Sequence, residues 1–209
     1  MTKNYLHRAT FLLYNLVAVV TLLSGCRATQ TADDYVRFED KETGWSTLYP
    51  ASWEVVPDAE AAAIDARGQK KIEATVARKI DDVHTRLLWI RKGRRDSFNS
   101  NKMVYKFATA EAYNANILKI YDVMMKTYEL QGVRADFKKG TMMINGLEFN
   151  TLEITVYEKG TNRVAGYQLM CTRYINKRIG LLMNLNYTNE KNKQILMNIL
   201  VASKFTIRD

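Results

Sequence analysis

Cysteine and histidine are the most reactive side chains of this 209-residue chain, which contains two of each. Cys171 and His84 would form a nucleophile and its activating base if the fold brought them together. Cys171 lies within an apolar run that is typical of a strand, and His84 begins a separate run. A small buried thiol is therefore the simpler interpretation of Cys171. The sequence predicts no catalytic residue in this pair.

Metal and cofactor sites have little support. A zinc site needs several converging ligands, which His84 and Cys171 alone do not supply. Asp33-Asp34 and Asp81-Asp82 could ligate calcium only with partners that the sequence does not identify, and we interpret them as solvated loop or tether residues. No glycine-rich phosphate-binding motif occurs. We therefore predict no metal and no cofactor.

Carboxylates leave one enzymatic alternative open. Glu148, Glu153 and Glu158 lie along one predicted strand, where the first and last share a parity that Glu153 does not. Hydrolysis by acid and base catalysis needs converging groups, and this spacing indicates no close pair. A hydrolase remains the third alternative, and no enzymatic activity is assigned.

Four cations within five residues form the sharpest charge feature, namely Arg91, Lys92, Arg94 and Arg95. Such a cluster can contact an anionic partner, such as lipid headgroups, lipopolysaccharide or an acidic glycan. The simpler interpretation is a hydrated hairpin loop. Phe98 and its polar neighbours predict that this loop is long and adaptable, and binding residues often collect in such loops.

The N-terminus has the pattern of an export signal. Lys3 and Arg8 precede an apolar run without charge that ends in Leu23-Ser24-Gly25-Cys26. The run is short for a stable membrane span and is interrupted by Asn15. Small residues that lead directly into a cysteine are typical of a lipobox. We predict a signal peptide over residues 1–25 and lipidation of Cys26; the alternative is a transmembrane anchor that happens to contain a cysteine.

Lipidation predicts where the protein resides. Each buried CH₂ contributes about 0.8 kcal/mol, and two or more acyl chains hold a protein stably in a bilayer. We expect the protein in the bacterial cell envelope, on the periplasmic side of the outer membrane in a Gram-negative cell, because Arg27 is not the aspartate associated with inner-membrane retention. An exported protein rarely meets nucleic acid, so none is predicted as a partner despite a net charge of +9. Cys171 is left without a disulfide partner.

The remaining chain predicts a tether and one domain. Residues 26–34 are polar and have a reach of roughly 16 Å as a flexible linker. Residues 35–209 are predicted to form a single domain. Helices are expected over 58–80, with an interruption at Gly68, between the N-cap Thr109 and Gly132, and from Asn189 onwards.

Strand patterns dominate the rest of this domain. Asn145-Gly146 predicts a tight hairpin between two strands, because both residues tolerate a positive φ. Several strands carry apolar residues at both parities, which indicates a sheet covered on both faces. We predict an α+β fold in which a mainly antiparallel sheet is flanked by helices on both faces, as an α/β/α sandwich.

The segment Gly44–Trp53 resembles the opening strand and Tyr-Pro-x-x-Trp motif of PsbP-like domains. The long helix, the Ile144-Asn-Gly-Leu147 hairpin and the closing helix before Leu200–Phe205 match as well, so that the resemblance spans roughly residues 35–207. It implies the fold shared by a photosystem II extrinsic subunit and the Mog family of Ran-binding proteins. Its motifs are structural, and no metal-related or Ran-contacting residue is carried over.

Two functions follow from these observations. The first is a membrane-anchored, non-enzymatic accessory domain that binds an envelope protein partner. The alternative is a module that binds a small or anionic ligand through the basic loop 91–95. The sequence does not predict an oligomeric state.

Overall fold

The computed structural model describes residues 34–79, 84–104 and 107–206. The predicted signal peptide, the lipidation site Cys26 and the tether up to Asp33 lie outside these residues, as do Asp81 and Asp82. Within the described residues, no helix has the length and apolar character needed to cross a membrane.

A seven-stranded antiparallel sheet forms the centre of the molecule, with the strand order β3-β4-β5-β9-β8-β7-β6. Its strands are β3 (Glu54–Val55), β4 (His84–Lys92), β5 (Asp96–Val104), β6 (Ala135–Ile144), β7 (Leu147–Tyr157), β8 (Val164–Ile175) and β9 (Ile179–Tyr187).

A second sheet has three strands in the order β1-β2-β10. They are β1 (Tyr35–Asp40), β2 (Trp45–Pro50) and β10 (Lys204–Phe205). Three helices complete the fold: α1 (Asp58–Val76), α2 (Ala110–Leu130) and α3 (Glu190–Val201).

Both faces of the large sheet are apolar and covered. One face carries Phe98, Leu185 and the other strand side chains that point in the same direction. These side chains pack against Leu196 of α3 and Trp45 of the small sheet. On the other face, Leu152 and its neighbours pack against α2. Helices on both faces of an antiparallel sheet confirm the predicted α+β sandwich.

Local signals placed two helix ends correctly. The Thr109 hydroxyl accepts a hydrogen bond from the Ala112 N–H at 3.2 Å, which makes Thr109 the N-cap of α2. Gly132, at φ +64°, follows the end of this helix and donates its N–H to the Glu129 carbonyl at 2.9 Å. The Asn145-Gly146 hairpin is also confirmed, since both residues have positive φ.

The predicted interruption of the first helix at Gly68 is wrong. Helix α1 runs without a break from Asp58 to Val76 and ends at Ala77, which adopts the left-handed conformation. Gly68 is exposed, and a glycine inside a helix costs only about 1 kcal/mol relative to alanine. Ion pairs that hold α1 to the sheet offset a cost of this size.

The long adaptable loop predicted around residues 91–101 is also wrong. Strands β4 and β5 form a hairpin that is closed by the three residues Gly93–Arg95, with Gly93 at φ +67°. Phe98 has no exposed surface and lies within β5. In β5, the buried residues Asp96, Phe98 and Ser100 alternate with the less buried Ser97 and Asn99. This period of two is that of a strand, although most of these residues are polar.

Candidate functional site

Cys171 and His84 lie far apart in the fold. Cys171 is buried in β8, and its burial raises the pKa of the thiol to about 12. His84 begins β4 and lies 3.4 Å from Asp65 between Nε2 and Oδ2. Strands β5 and β9 separate β4 from β8, which places the two residues at least about 14 Å apart across the sheet. The interpretation of Cys171 as a buried thiol is confirmed.

The three glutamates considered for hydrolysis do not converge. Glu148 and Glu153 lie on opposite faces of β7, and Glu158 follows the end of that strand. Glu153 lies 3.4 Å from Lys138, and Glu158 lies 3.7 Å from Arg163. Over residues 34–79, 84–104 and 107–206, no three His, Cys, Asp or Glu residues are placed to hold a metal ion.

Arg91 differs from the other cations of the basic cluster, because it is bound within the fold. It donates two hydrogen bonds to Glu54 of β3, at 3.1 Å from Nε and 2.8 Å from Nη2, and a third to Glu60 of α1. These bonds raise the pKa of Arg91 and lower that of Glu54. Arg91 therefore joins β3 and α1 to the sheet, and it is not available to a partner.

Arg94 and Arg95 lie in the turn that we call the arginine turn, Gly93–Arg95. Both are exposed, and neither forms an ion pair with another residue in the described part of the chain. Lys92 is exposed at the end of β4, next to this turn. Of the four predicted cations, these three remain available to an anionic partner.

The two arginines border a cavity of about 290 Å³, which we call the arginine–tyrosine cavity. It lies at the end of the large sheet where β5 and β8 begin and where β9 and α2 end. Three tyrosines line it together with two amide side chains and smaller groups. The tyrosines are Tyr128, Tyr167 and Tyr187, and the amides are Gln168 and Asn186.

The three tyrosines lie on different faces of the large sheet. Tyr167 and Tyr187 are directly opposite each other on β8 and β9, and their rings stack on the α3 face with centroids 5.3 Å apart and an interplanar angle of 18°. Tyr128 packs with Val156 on the α2 face, where Gln168 also lies, so among the tyrosines its ring shares a face with the amides of the cavity. Burial raises the pKa of Tyr128. Burial, followed by the charges of Glu153 and Glu190, raises the pKa of Tyr187. Both phenols therefore stay neutral at physiological pH and keep their O–H groups as donors.

Hydrogen bonds fix the two amide side chains of the cavity on the α2 face of the sheet. The Tyr128 hydroxyl donates to Gln168 Oε1 at 3.2 Å, and Gln168 Nε2 donates to Asn184 Oδ1 at 2.8 Å. Asn186 Nδ2 donates to Ser97 Oγ at 3.1 Å. Because these bonds connect β5, β8, β9 and α2, the polar groups of the cavity are held in place before any ligand arrives.

Two features support the walls. Asp96 is almost buried and accepts hydrogen bonds from the Thr188 N–H at 2.8 Å and the Thr188 hydroxyl at 3.1 Å, which fixes the arginine turn to the end of β9. On β8, Gly166 pairs with Val156 whereas Val164 pairs with Tyr157, so Ala165 is an extra residue in the strand. Such a bulge increases local bending and twist.

The side chains of this cavity are suited to binding a ligand. Guanidinium groups recognise oxyanions through paired hydrogen bonds, and tyrosine rings contribute apolar area together with a polar tip. Sequence reasoning identified Arg94 and Arg95 but missed the tyrosines, because it assigned Tyr128 to an apolar helix stripe and the other two to strands. The one local signal was a pair of tyrosines near the ends of two neighbouring strands.

The fold is similar to that of a solved PsbP structure. The solution structure of cyanobacterial PsbP (CyanoP) from Synechocystis sp. PCC 6803 matches with a TM-score of 0.53 and 13% sequence identity, over 87% of this chain and 98% of that chain. A crystal structure from Bacteroides thetaiotaomicron VPI-5482 matches with a TM-score of 0.48 and 9% identity, over 81% of this chain and 48% of that chain.

No protein-family model and no curated protein matches the chain. The structural likeness to CyanoP therefore shows the fold alone. The domain has a PsbP-like fold, as the resemblance of Gly44–Trp53 predicted.

Proposed function

We propose that this protein is a non-catalytic binding domain, tethered to a bacterial envelope membrane through lipidated Cys26, which holds an envelope protein through the arginine–tyrosine cavity. One observation carries the proposal: Arg94 and Arg95, without ion-pair partners among the described residues, border a cavity that Tyr128, Gln168 and Asn186 also line.

The composition of the cavity favours a protein partner. Tyrosine and arginine are enriched where protein interfaces gain most of their binding energy. Tyr128 and Val156 line the cavity from one face of the sheet, so aromatic and apolar side chains accompany the two arginines. A volume of about 290 Å³ is at the lower end of small-molecule pockets, and it suits a single side chain of a larger partner.

The tether is the second part of the proposed function. An anchored domain meets envelope proteins at an effective concentration that reaches the millimolar range for short flexible linkers. A weak interface therefore suffices, which agrees with a small cavity and a single pair of arginines. This proposal also keeps the outer membrane, facing the periplasm, as the location in a Gram-negative cell.

Photocrosslinking in intact envelopes tests the binding surface. A photoreactive phenylalanine derivative that replaces Tyr128, which lines the cavity, should give one discrete protein adduct. The matched control replaces Val201, which is 78% exposed on α3 and does not line the cavity. Equal adducts from both positions, or none from Tyr128, would contradict the proposal.

Metabolic labelling with an alkyne analogue of palmitate tests the anchor. The wild-type protein and the Cys171→Ser variant should incorporate the label, whereas Cys26→Ser should not and should leave the membrane fraction. If Cys26→Ser stayed in the membrane and the wild-type protein stayed unlabelled, the transmembrane-anchor alternative would replace the lipidation hypothesis.

A further inference from the structure

We infer that the arginine–tyrosine cavity is a carboxylate pocket, which takes one acidic side chain that an apolar segment of the protein partner presents. This inference rests on the proposed function, because it names the chemical group that the same cavity recognises.

The arginines determine the charge of the ligand. Arg94 and Arg95 together present ten N–H donors at the border of the cavity, and no described carboxylate pairs with them. A carboxylate fits the fork of a guanidinium through two parallel hydrogen bonds. The ligand group is therefore an oxyanion.

Donors inside the cavity favour the same group. Ser97 Oγ accepts from Asn186 Nδ2, which leaves the Ser97 O–H and the second Asn186 N–H without acceptors among the described residues. Both side chains line the cavity. An oxyanion held by Arg94 and Arg95 would supply the missing acceptors.

A nearby acid favours a single negative charge over a polyanion. Residues 92–96 carry a net charge of only +2, because Asp96 follows the two arginines. A dianionic phosphate or a polysaccharide with many charges meets more repulsion from Asp96 than a single carboxylate does.

The walls favour a peptide over a lipid surface. Membrane recognition by electrostatics commonly uses clusters of four to eight basic residues on an open surface. Here Arg91 is bound to Glu54 and Glu60, and the two turn arginines border a cavity that Tyr128 and Val156 also line. An aromatic ring and an aliphatic side chain pack well against the apolar residues that flank an acidic side chain in a protein segment.

Selection from a random peptide library tests the inference without an assumed partner. The full-length protein, in nanodiscs of zwitterionic lipid, serves as the target for a phage-displayed library. We expect enrichment of Asp or Glu at one position with apolar neighbours. Replacing that acid by its amide in a synthetic copy should weaken binding at least about tenfold, which corresponds to about 1.4 kcal/mol.

Two double variants provide the comparison. The R94A/R95A protein should lose the selected peptide, whereas R67A/K70A, which removes the same charge from exposed positions of α1, should retain it. Selection without a conserved acid, or equal binding by R94A/R95A, would overturn the inference. The peptide could also be displaced by phosphatidylglycerol vesicles or by inorganic phosphate. Displacement at concentrations at which the free acidic amino acid does not displace the peptide would also overturn the inference.

This test is distinguishable from that of the proposed function. If the photoreactive group at position 128 still captures one envelope protein while acid and amide peptides bind alike, the carboxylate pocket fails and the proposed function stands. If the group at position 128 captures no protein, the proposed function fails whatever the peptides show.

Discussion

At the scale of single residues, neighbouring cations have different surroundings and therefore different roles. Arg91 contacts Glu54 and Glu60, whose carboxylates fix its position and raise its pKa. Arg94 and Arg95 follow only a few residues later, yet the turn directs them to the border of a cavity. Substituting Arg91 should therefore affect stability, and substituting the turn arginines should affect binding.

Cys171 should be unreactive in the folded protein. Its pKa of about 12 means that raising the pH from 7 to 9 creates almost no thiolate, whereas an ordinary thiol with a pKa of about 8.5 would ionise over this range. Modification by Ellman's reagent should therefore be slow at both pH values and become fast only in denaturant. A clear rise in rate between pH 7 and 9 without denaturant would contradict this prediction.

Gly44 should be the glycine least tolerant of substitution. It has a φ of +67°, and a Cβ there would lie 2.1 Å from the carbonyl oxygen of Thr206. Gly44→Ala should lower the free energy of unfolding by about 2–4 kcal/mol. Gly93→Ala is the matched control, since Gly93 has the same φ but open space around it, and should cost about 1–2 kcal/mol. Equal losses, measured by urea denaturation, would show that the contact with Thr206 is unimportant.

At the scale of elements, α1 differs from the other helices in how it is attached. Ala61 is its only buried residue, whereas ion pairs connect it to the sheet. Arg86 pairs with Asp58 and Asp65, and Arg91 pairs with Glu60. The attachment of α1 to the sheet is thus mainly electrostatic, and Thr127 of α2 donates a hydrogen bond to Thr75 of α1 at 2.9 Å, while α2 and α3 bury apolar residues.

High salt should therefore loosen α1 selectively. Amide hydrogen exchange in α1 should speed up at about 1 M salt, where the Debye length is about 3 Å, and exchange in α2 should change little. Asp65→Asn should speed up exchange in α1 at low salt, because it should lower the free energy of local opening by about 1 kcal/mol. Lys70→Ala, at an exposed position, should leave that exchange unchanged. Uniform exchange across both helices would mean that apolar contacts hold α1.

Elements were predictable where their signals are local. The N-cap Thr109 and the Asn145-Gly146 hairpin depend on residues close in sequence, so the chain alone indicates them. The contact of Arg91 with Glu54 depends on the pairing of β3 with β4, which no local pattern reveals. The arginine–tyrosine cavity needs four elements to meet at one end of the sheet, and only its two arginines were predictable.

At the scale of the whole molecule, a half-buried ion cluster joins the two sheets. Lys102 of the large sheet contacts Asp40 of β1 at 2.9 Å and Glu42 at 2.8 Å. Burial alone would raise the pKa of Asp40, but hydrogen bonds from Lys102 and Thr43 outweigh it and lower the pKa below its ordinary value near 3.8. The ionised carboxylate therefore stabilises the fold.

This cluster predicts a loss of stability in acid. Because the folded pKa of Asp40 is lowered, its contribution is complete above the unfolded pKa near 3.8 and is lost as the pH falls through the folded pKa. Asp40→Asn should reduce the free energy of unfolding at pH 7 and flatten its fall below about pH 4. Glu39→Gln, at an exposed neighbouring position, should leave that fall unchanged. A wild-type pH profile in Asp40→Asn would exclude Asp40 from this role.

The adduct yield from the photoreactive group that replaces Tyr128 tests the central claim most directly in intact envelopes, since it depends on both the anchor and the cavity. We predict one adduct in the wild-type background, the same yield with R67A/K70A, and a yield at least about tenfold lower with R94A/R95A, because loss of charge-assisted hydrogen bonds costs about 1.5–3 kcal/mol. A full yield with R94A/R95A would contradict the assignment of this cavity as the binding site.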